Sequence, residues 1–150
     1  MLVGIGFDIH KHSENSDLYL AGLKLDGVGF EAHSDGDIIL HALCDALLGA
    51  VGKKDIGYYF PSNEKTPENI SSLTILEKVL LEIKYPSLKI NNIDVWVKLI
   101  GEFNAYNILS VYSVANQFGF KDSDVFIACL LYTSDAADEG LGVDLGGRRI

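Results

Sequence analysis

His33-Ser34-Asp35-Gly36-Asp37-Ile38-Ile39-Leu40-His41-Ala42-Leu43-Cys44-Asp45-Ala46-Leu47-Leu48-Gly49-Ala50-Val51-Gly52 reads as one helix with its punctuation attached. Ser34 and Asp35 are residue types that cap helix N-termini. Ile38-Ile39-Leu40, Leu43, Ala46-Leu47 and Val51 recur at helical spacing, and Gly52 is placed to end the run. Asp37, His41 and Asp45 fall at i, i+4 and i+8, a polar stripe along one side. Such a stripe is ordinarily solvated surface. Here it carries a histidine, and a second histidine segment lies upstream.

That segment is Gly6-Phe7-Asp8-Ile9-His10, the end of an apolar stretch from Leu2 that predicts a strand over residues 1–10. Side chains at i and i+2 of a strand share a face, so Asp8 and His10 can reach one ion. An isolated Asp-x-His is usually a hydrogen-bonded structural pair. With His41 added, the set is one carboxylate and two imidazoles, which catalytic zinc uses with a fourth position left open. Asp8, His10 and His41 are therefore candidate metal ligands.

Leu18-Tyr19-Leu20-Ala21 and Leu23-Lys24-Leu25 flank Gly22 and suggest a bent strand or ribbon. Residues 53–60 read as a short turn or helical segment, and residues 61–69 as a polar loop. Leu73, Leu76, Val79-Leu80 and Ile83 predict a helix over 71–84, stopped by Pro86. Ile93, Val95, Val97 and Leu99 share one parity and predict a strand over 90–100. A helix over 106–118, with Gly119 as its C-cap, and a last strand over 125–132 complete the pattern. Alternating strands and helices at this length predict a single small α/β domain.

The net charge of −9 argues against a nucleic-acid surface. It also requires that any diphosphate ligand be neutralised by metal ions and helix N-termini. No apolar run approaches the ~18 residues of a membrane span, and Met1 leads straight into the first strand without a basic leader, so a soluble cytoplasmic protein is expected. Cys44 and Cys129 match no metal or redox spacing, and Cys44 reads as a buried small hydrophobe. Gly4 and Gly6 are not a dinucleotide fingerprint, since no third glycine follows in place; they read as sites of close backbone packing.

Gly4-x-Gly6-Phe7-Asp8-x-His10, Ala32-His33-Ser34-Asp35-Gly36-Asp37, His41-Ala42, Asp45-Ala46-Leu47-Leu48-Gly49-Ala50, Asp55-Ile56-Gly57 and Phe60-Pro61, in that order, resemble the 2-C-methyl-D-erythritol 2,4-cyclodiphosphate synthase family. The resemblance is dense to Pro61, thinner to about Ile127, and fails beyond. It implies a mixed β-sheet packed by helices, assembled as a homotrimer with sites between subunits. It implies an intramolecular phosphoryl transfer: the 2-phosphate of 4-diphosphocytidyl-2-C-methyl-D-erythritol 2-phosphate attacks the β-phosphorus and CMP leaves. Asp8, His10 and His41 then hold zinc, and His33 and Ser34 contact phosphate, with His33 stabilising the transition state. Substrate contacts also fall to Asp8, Ile9 and His10, to Asp55, Ile56 and Gly57, and to the loop Phe60, Pro61, Ser62, Asn63 and Glu64. Asp37 and Asp45 are candidates to orient the imidazoles as outer carboxylates. A second divalent ion such as magnesium belongs to the family's chemistry.

The chain departs from that pattern at three places. Ser62-Asn63-Glu64 stands where Asp-x-Asp is usual. Gly101-Glu102-Phe103-Asn104-Ala105 replaces a Pro-Lys stretch that binds cytidine. Phe126-Ile127-Ala128-Cys129-Leu130-Leu131-Tyr132-Thr133 replaces Lys-Ala-Thr-Thr-Thr-Glu, removing the transition-state threonine and the glutamate of the second ion. The expected organisation is a synthase-like domain over 1–128 and a tail over 129–150 that reads as foreign sequence joined to a truncated synthase, the alternative being a genuinely diverged C-terminus. Impaired turnover is expected. The alternatives are a non-catalytic subunit that binds metal and phosphate, or another zinc-dependent phosphoryl-transfer enzyme on the same scaffold.

Overall fold

Two N–H groups in a hairpin turn and one at a helix start converge on a single buried carboxylate, that of Asp37. The computed structural model describes residues 1–95 and 104–121. Its elements are β1 (His12–Ser13), β2 (Leu18–Leu20), β3 (Leu23–Leu25), β4 (Gly29–Phe30), α1 (Ile38–Ala50), α2 (Ile56–Tyr59), α3 (Ser72–Glu82) and α4 (Asn104–Gln117). This is a small α/β arrangement, as expected. The described strands form two antiparallel pairs, β1 with β4 and β2 with β3, in place of one mixed sheet. The chain divides into compact units at 1–96 and 97–150.

In the first unit, Ala21 (φ 53°) and Gly22 (φ 82°) form a two-residue turn between β2 and β3. Both residues have positive φ, the backbone that matches the strands' twist. Asp37 Oδ1 accepts from Ala21 N–H at 2.9 Å and Leu40 N–H at 3.0 Å, and Oδ2 accepts from Gly22 N–H at 2.6 Å. Asp37 is thus the N-cap of α1. This corrects the expectation of a cap at Ser34 or Asp35. Only Asp37 is placed to serve the helix and the hairpin turn together. Its burial pushes the carboxyl above the usual carboxylate range, against the lowering effect of the three N–H donors.

Helix α1 ends as its sequence suggests. Gly52 (φ 69°) follows it, and Lys53 N–H donates to the Leu48 carbonyl at 2.9 Å. Leu40, Leu43, Cys44, Leu47 and Leu48 of α1 are buried and pack with Ile75, Leu76 and Val79 of α3. Leu18, Leu20 and Phe30 close the core from the strand side. Cys44 is the buried small hydrophobe expected, with its thiol pushed up to about 12 by burial. Ser71 caps α3, accepting from Leu73 N–H.

Residues 1–10 form no ladder among the described residues and run as an extended segment along α1. A Cβ at Gly4 would overlap the Ala46 carbonyl oxygen, and one at Gly6 the Ala42 carbonyl oxygen. The two glycines are the close-approach sites their sequence suggested. Gly4, Gly6, Asp8 and His10 face the helix. Val3, Ile5, Phe7 and Ile9 alternate to the other side and are exposed. Residues 90–95 carry no regular structure. The rest of the strand expected over 90–100, and the whole of that over 125–132, lie outside the described residues, as does Cys129. In the second unit, α4 starts two residues earlier than expected, and Gly119 (φ 68°) follows its last turn.

Two outcomes follow from this packing. Asp37→Ala strands three N–H groups, two of them buried, and should cost about 3 kcal/mol, read as a lower urea midpoint, while Asp37→Asn costs less. Gly6→Ala should cost about 1–3 kcal/mol, because the segment must lift from α1. The same measurement checks it.

Candidate metal centre

The close approach at Gly6 puts the next two even positions, Asp8 and His10, beside α1 at His41. Asp8 Oδ2 lies 2.9 Å from His10 Nε2 and 3.0 Å from His41 Nδ1, and the two nitrogens are 3.3 Å apart. A tetrahedral ion with bonds of ~2.0–2.1 Å spaces its ligand atoms about 3.3 Å apart. One carboxylate oxygen and two imidazole nitrogens at this spacing fit a zinc-like cation with little movement. The side chains remain 23%, 18% and 8% exposed for Asp8, His10 and His41, so the set opens to solvent on the Asp8 and His10 side. The three candidate ligands read from the sequence are brought together.

Electrostatics within the set favour an ionised carboxylate. Burial raises the Asp8 carboxyl, but hydrogen bonds from His10 and His41 and their charge outweigh it and hold the group well below its usual range. His10 is raised, first by its hydrogen bond to Asp8. The same atoms that share protons here are the ones that a cation would take over.

Each ring is held from behind. His10 Nδ1–H donates to the Glu31 carbonyl at 3.0 Å, which leaves Nε2 for the centre. Glu31 is itself positioned by its N–H donating to the Lys11 carbonyl at 2.8 Å, a continuation of the β1–β4 ladder. His41 Nε2 faces two hydroxyls, Ser72 Oγ at 3.0 Å and Ser34 Oγ at 3.1 Å. Ser72 Oγ–H donates to Asp35 Oδ1, and Ser72 N–H to Asp35 Oδ2 at 2.9 Å.

The outer carboxylates are therefore not those expected. Asp37 serves the hairpin turn and the helix cap. Asp45 accepts from Ile56 N–H at 2.8 Å and fastens α2 to α1. Asp35 and Ser72 do the orienting, and sequence reasoning missed both in this role. Nothing in Ser71-Ser72 says which serine caps α3 and which turns inward.

Of the other residues singled out, Ser34 joins the cluster directly through His41. His33 points to the following loop, where Nε2–H donates to the Thr66 carbonyl at 2.8 Å. Ile9 is exposed, with its N–H on Asp8 Oδ1. Asp55 caps α2 by accepting from Tyr58 N–H, with Ile56 and Gly57 in the first turn. Phe60 lies under the Lys78 ammonium at 5.4 Å. Pro61 and Asn63 form a tight turn, in which Asn63 N–H donates to the Pro61 carbonyl. Asn63, Glu64 and Ser62 are exposed there. No hydrogen bond among the described residues joins Asp55 or residues 60–64 to the metal-ligand set.

A family model for the YgbB family matches residues 1–129. A 2-C-methyl-D-erythritol 2,4-cyclodiphosphate synthase from Porphyromonas gingivalis strain W83 is 41% identical over 93 residues, 61% of this chain and 57% of its own length. The protein of the same name from Halothermothrix orenii is 45% identical over 95 residues, 63% of this chain and 58% of its own length. The chain thus spans under two-thirds of the length of the curated relatives it matches. A solved structure of 2C-methyl-D-erythritol-2,4-cyclodiphosphate synthase superimposes with a TM-score of 0.65 at 30% identity, covering 81% of this chain and 82% of the other. The CDP complex of IspF from Plasmodium falciparum gives 0.60 at 31%, covering 81% and 76%. The family match runs through both segments that build the Asp8–His10–His41 set, and by it this chain belongs to the YgbB family.

Proposed function

We propose that the site performs the zinc-dependent cyclisation of 4-diphosphocytidyl-2-C-methyl-D-erythritol 2-phosphate to 2-C-methyl-D-erythritol 2,4-cyclodiphosphate, with release of CMP, in non-mevalonate isoprenoid synthesis. The observation that carries this reading is the convergence of Asp8, His10 and His41 in a chain whose relatives bear that synthase name. An oxygen of the 2-phosphate forms a bond to the β-phosphorus. The bond from that phosphorus to the CMP oxygen breaks, and CMP carries the electron pair away.

Such a transfer needs alignment and charge neutralisation more than covalent help from the protein. Asp8, His10 and His41 hold the zinc, which supplies Lewis acidity to diphosphate oxygens when bound. The Ser34 hydroxyl, beside His41, donates to a phosphate oxygen. His33 stabilises the charge that develops there. Asp55, Ile56 and Gly57 meet the erythritol hydroxyls. Phe60, Pro61, Ser62, Asn63 and Glu64 border the substrate. A homotrimer in a cytoplasm, with a second divalent ion such as magnesium on the diphosphate, completes the proposal. The second ion is supported by an acidic chain that offers few cations of its own to a diphosphate.

A second reading is favoured by residues 126–133. With Phe126-Ile127-Ala128-Cys129 in place of the threonine and glutamate motif, the chain is a subunit that binds metal and phosphate with little turnover. Losing one oriented transition-state donor costs about 10²–10³ in rate. Residues 129–150 are, in this proposal, a tail outside the synthase-like domain.

Metal analysis of the purified protein should give one zinc per chain, and His41→Ala or Asp8→Ala should abolish it. Unchanged zinc content in both variants would remove the ligand assignment. CMP release should be at least about 10²-fold slower than from a version whose residues 126–133 are replaced by a strand ending in Thr-Thr-Thr-Glu. Equal rates would show that these residues are not a defect.

A further inference from the structure

His41 can meet a cation only with the nitrogen that does not carry its proton. In His10 that choice is made by a backbone carbonyl. In His41 it is left to side chains, and we infer that Asp35, acting through Ser72, is the positioning residue that keeps the proton on Nε2 and so frees Nδ1 for a divalent metal ion. The inference rests on the metal reading above and adds to it the residues that prepare the ligand.

The hydrogen-bond directions behind the ring start from the Ser72–Asp35 pair. An ionised carboxylate has no proton to give, so in the Ser72–Asp35 pair the hydroxyl is the donor. Ser72 has one hydroxyl proton, and it is spent on Asp35 Oδ1. What Ser72 Oγ turns to His41 Nε2, 3.0 Å away, is a lone pair. The imidazole must then be the donor at Nε2. Ser34 Oγ, 3.1 Å from the same nitrogen, already accepts from Gly36 N–H and can share the Nε2–H in the same sense. Its own proton stays available for an anion. Nδ1, on the other side of the ring, is 3.0 Å from Asp8 Oδ2 and 3.3 Å from His10 Nε2, and the proton shared there with Asp8 is the one that a cation would displace. That is the nitrogen that the metal requires.

The arrangement is fixed from both ends. Asp35 is held by its own N–H on the Ile70 carbonyl at 3.1 Å and by Ser72 N–H on Oδ2. Ser72 is fully buried in the first turn of α3, and Asp35 is half-buried. The segment before α1 and the start of α3 thus meet at the back of one imidazole. A side chain that only filled space would need neither the hydroxyl nor the carboxylate.

The test is zinc affinity by competition with a chromophoric chelator, together with long-range proton–nitrogen spectra of the zinc-loaded full chain. Ser72→Ala should weaken zinc binding by about 10–100-fold, the usual cost of removing such a partner. Its His41 Nε2–H should exchange fast with water where the wild-type proton is slow. Ser72→Thr keeps the hydroxyl and should restore both within about threefold, on the same scale. Asp35→Asn keeps an oxygen for Ser72 N–H, so α3 stays anchored. It releases the Ser72 proton to turn on Nε2, and zinc affinity should fall at least as far as with Ser72→Ala. Should Ser72→Ala not fold, Asp35→Asn carries the test. Wild-type zinc binding with both variants within about twofold of it, well under the expected loss, would overturn this inference alone. A wild-type chain that binds no zinc would overturn the metal reading with it.

Discussion

The Asp37 carboxylate is the joint on which the first unit turns. A carboxylate only accepts, so it can gather donors from elements that have no other reason to meet. Asp37 gathers two from the β2–β3 turn and one from the first turn of α1. Neither a three-residue hairpin pair nor a 13-residue helix holds its shape alone in water. Joined at the buried Asp37, they fix where α1 begins, and hence which of its residues face the N-terminal segment. His41 is one turn later. The register of the metal-ligand set is inherited from that cap.

From there each imidazole is positioned by a different kind of partner. His10 leans on main chain, the Glu31 carbonyl at the end of the β1–β4 ladder. His41 leans on Ser72, and through it on Asp35. Main-chain support depends only on the ladder forming, whereas side-chain support depends on two residue identities. The less exposed ring is the one whose partners are substitutable.

The candidate metal-ligand set is legible in the sequence because its spacing is local chemistry. Asp8 and His10 need only an extended backbone to share a face, and the segment is extended even though it pairs in no ladder among the described residues. Gly52 and Gly119 announced helix ends, because only a positive φ closes those turns. The glycines at 4 and 6 announced close packing, though not against what. The cap of α1 lies two or three residues beyond the expected ones because Ser34, Asp35 and Asp37 are all good capping types. The hairpin turn 15 and 16 residues earlier decided among them. Asp35 and Ser72 were invisible as a pair for the same reason. They are 37 residues apart, and no periodicity connects a pre-helical aspartate to the first turn of another helix.

His10 and His41 are 31 residues apart in the chain, and they touch. An ion between them is therefore a cross-link, closing a long loop much as a disulfide would, but reversibly. The unfolded chain already offers Asp8-Ile9-His10 as a two-point chelate, since that requires no fold at all. An ion held there would favour the folded state in part through the one imidazole on α1, and through mass action metal supply would bear on how firmly the N-terminal segment stays on the helix.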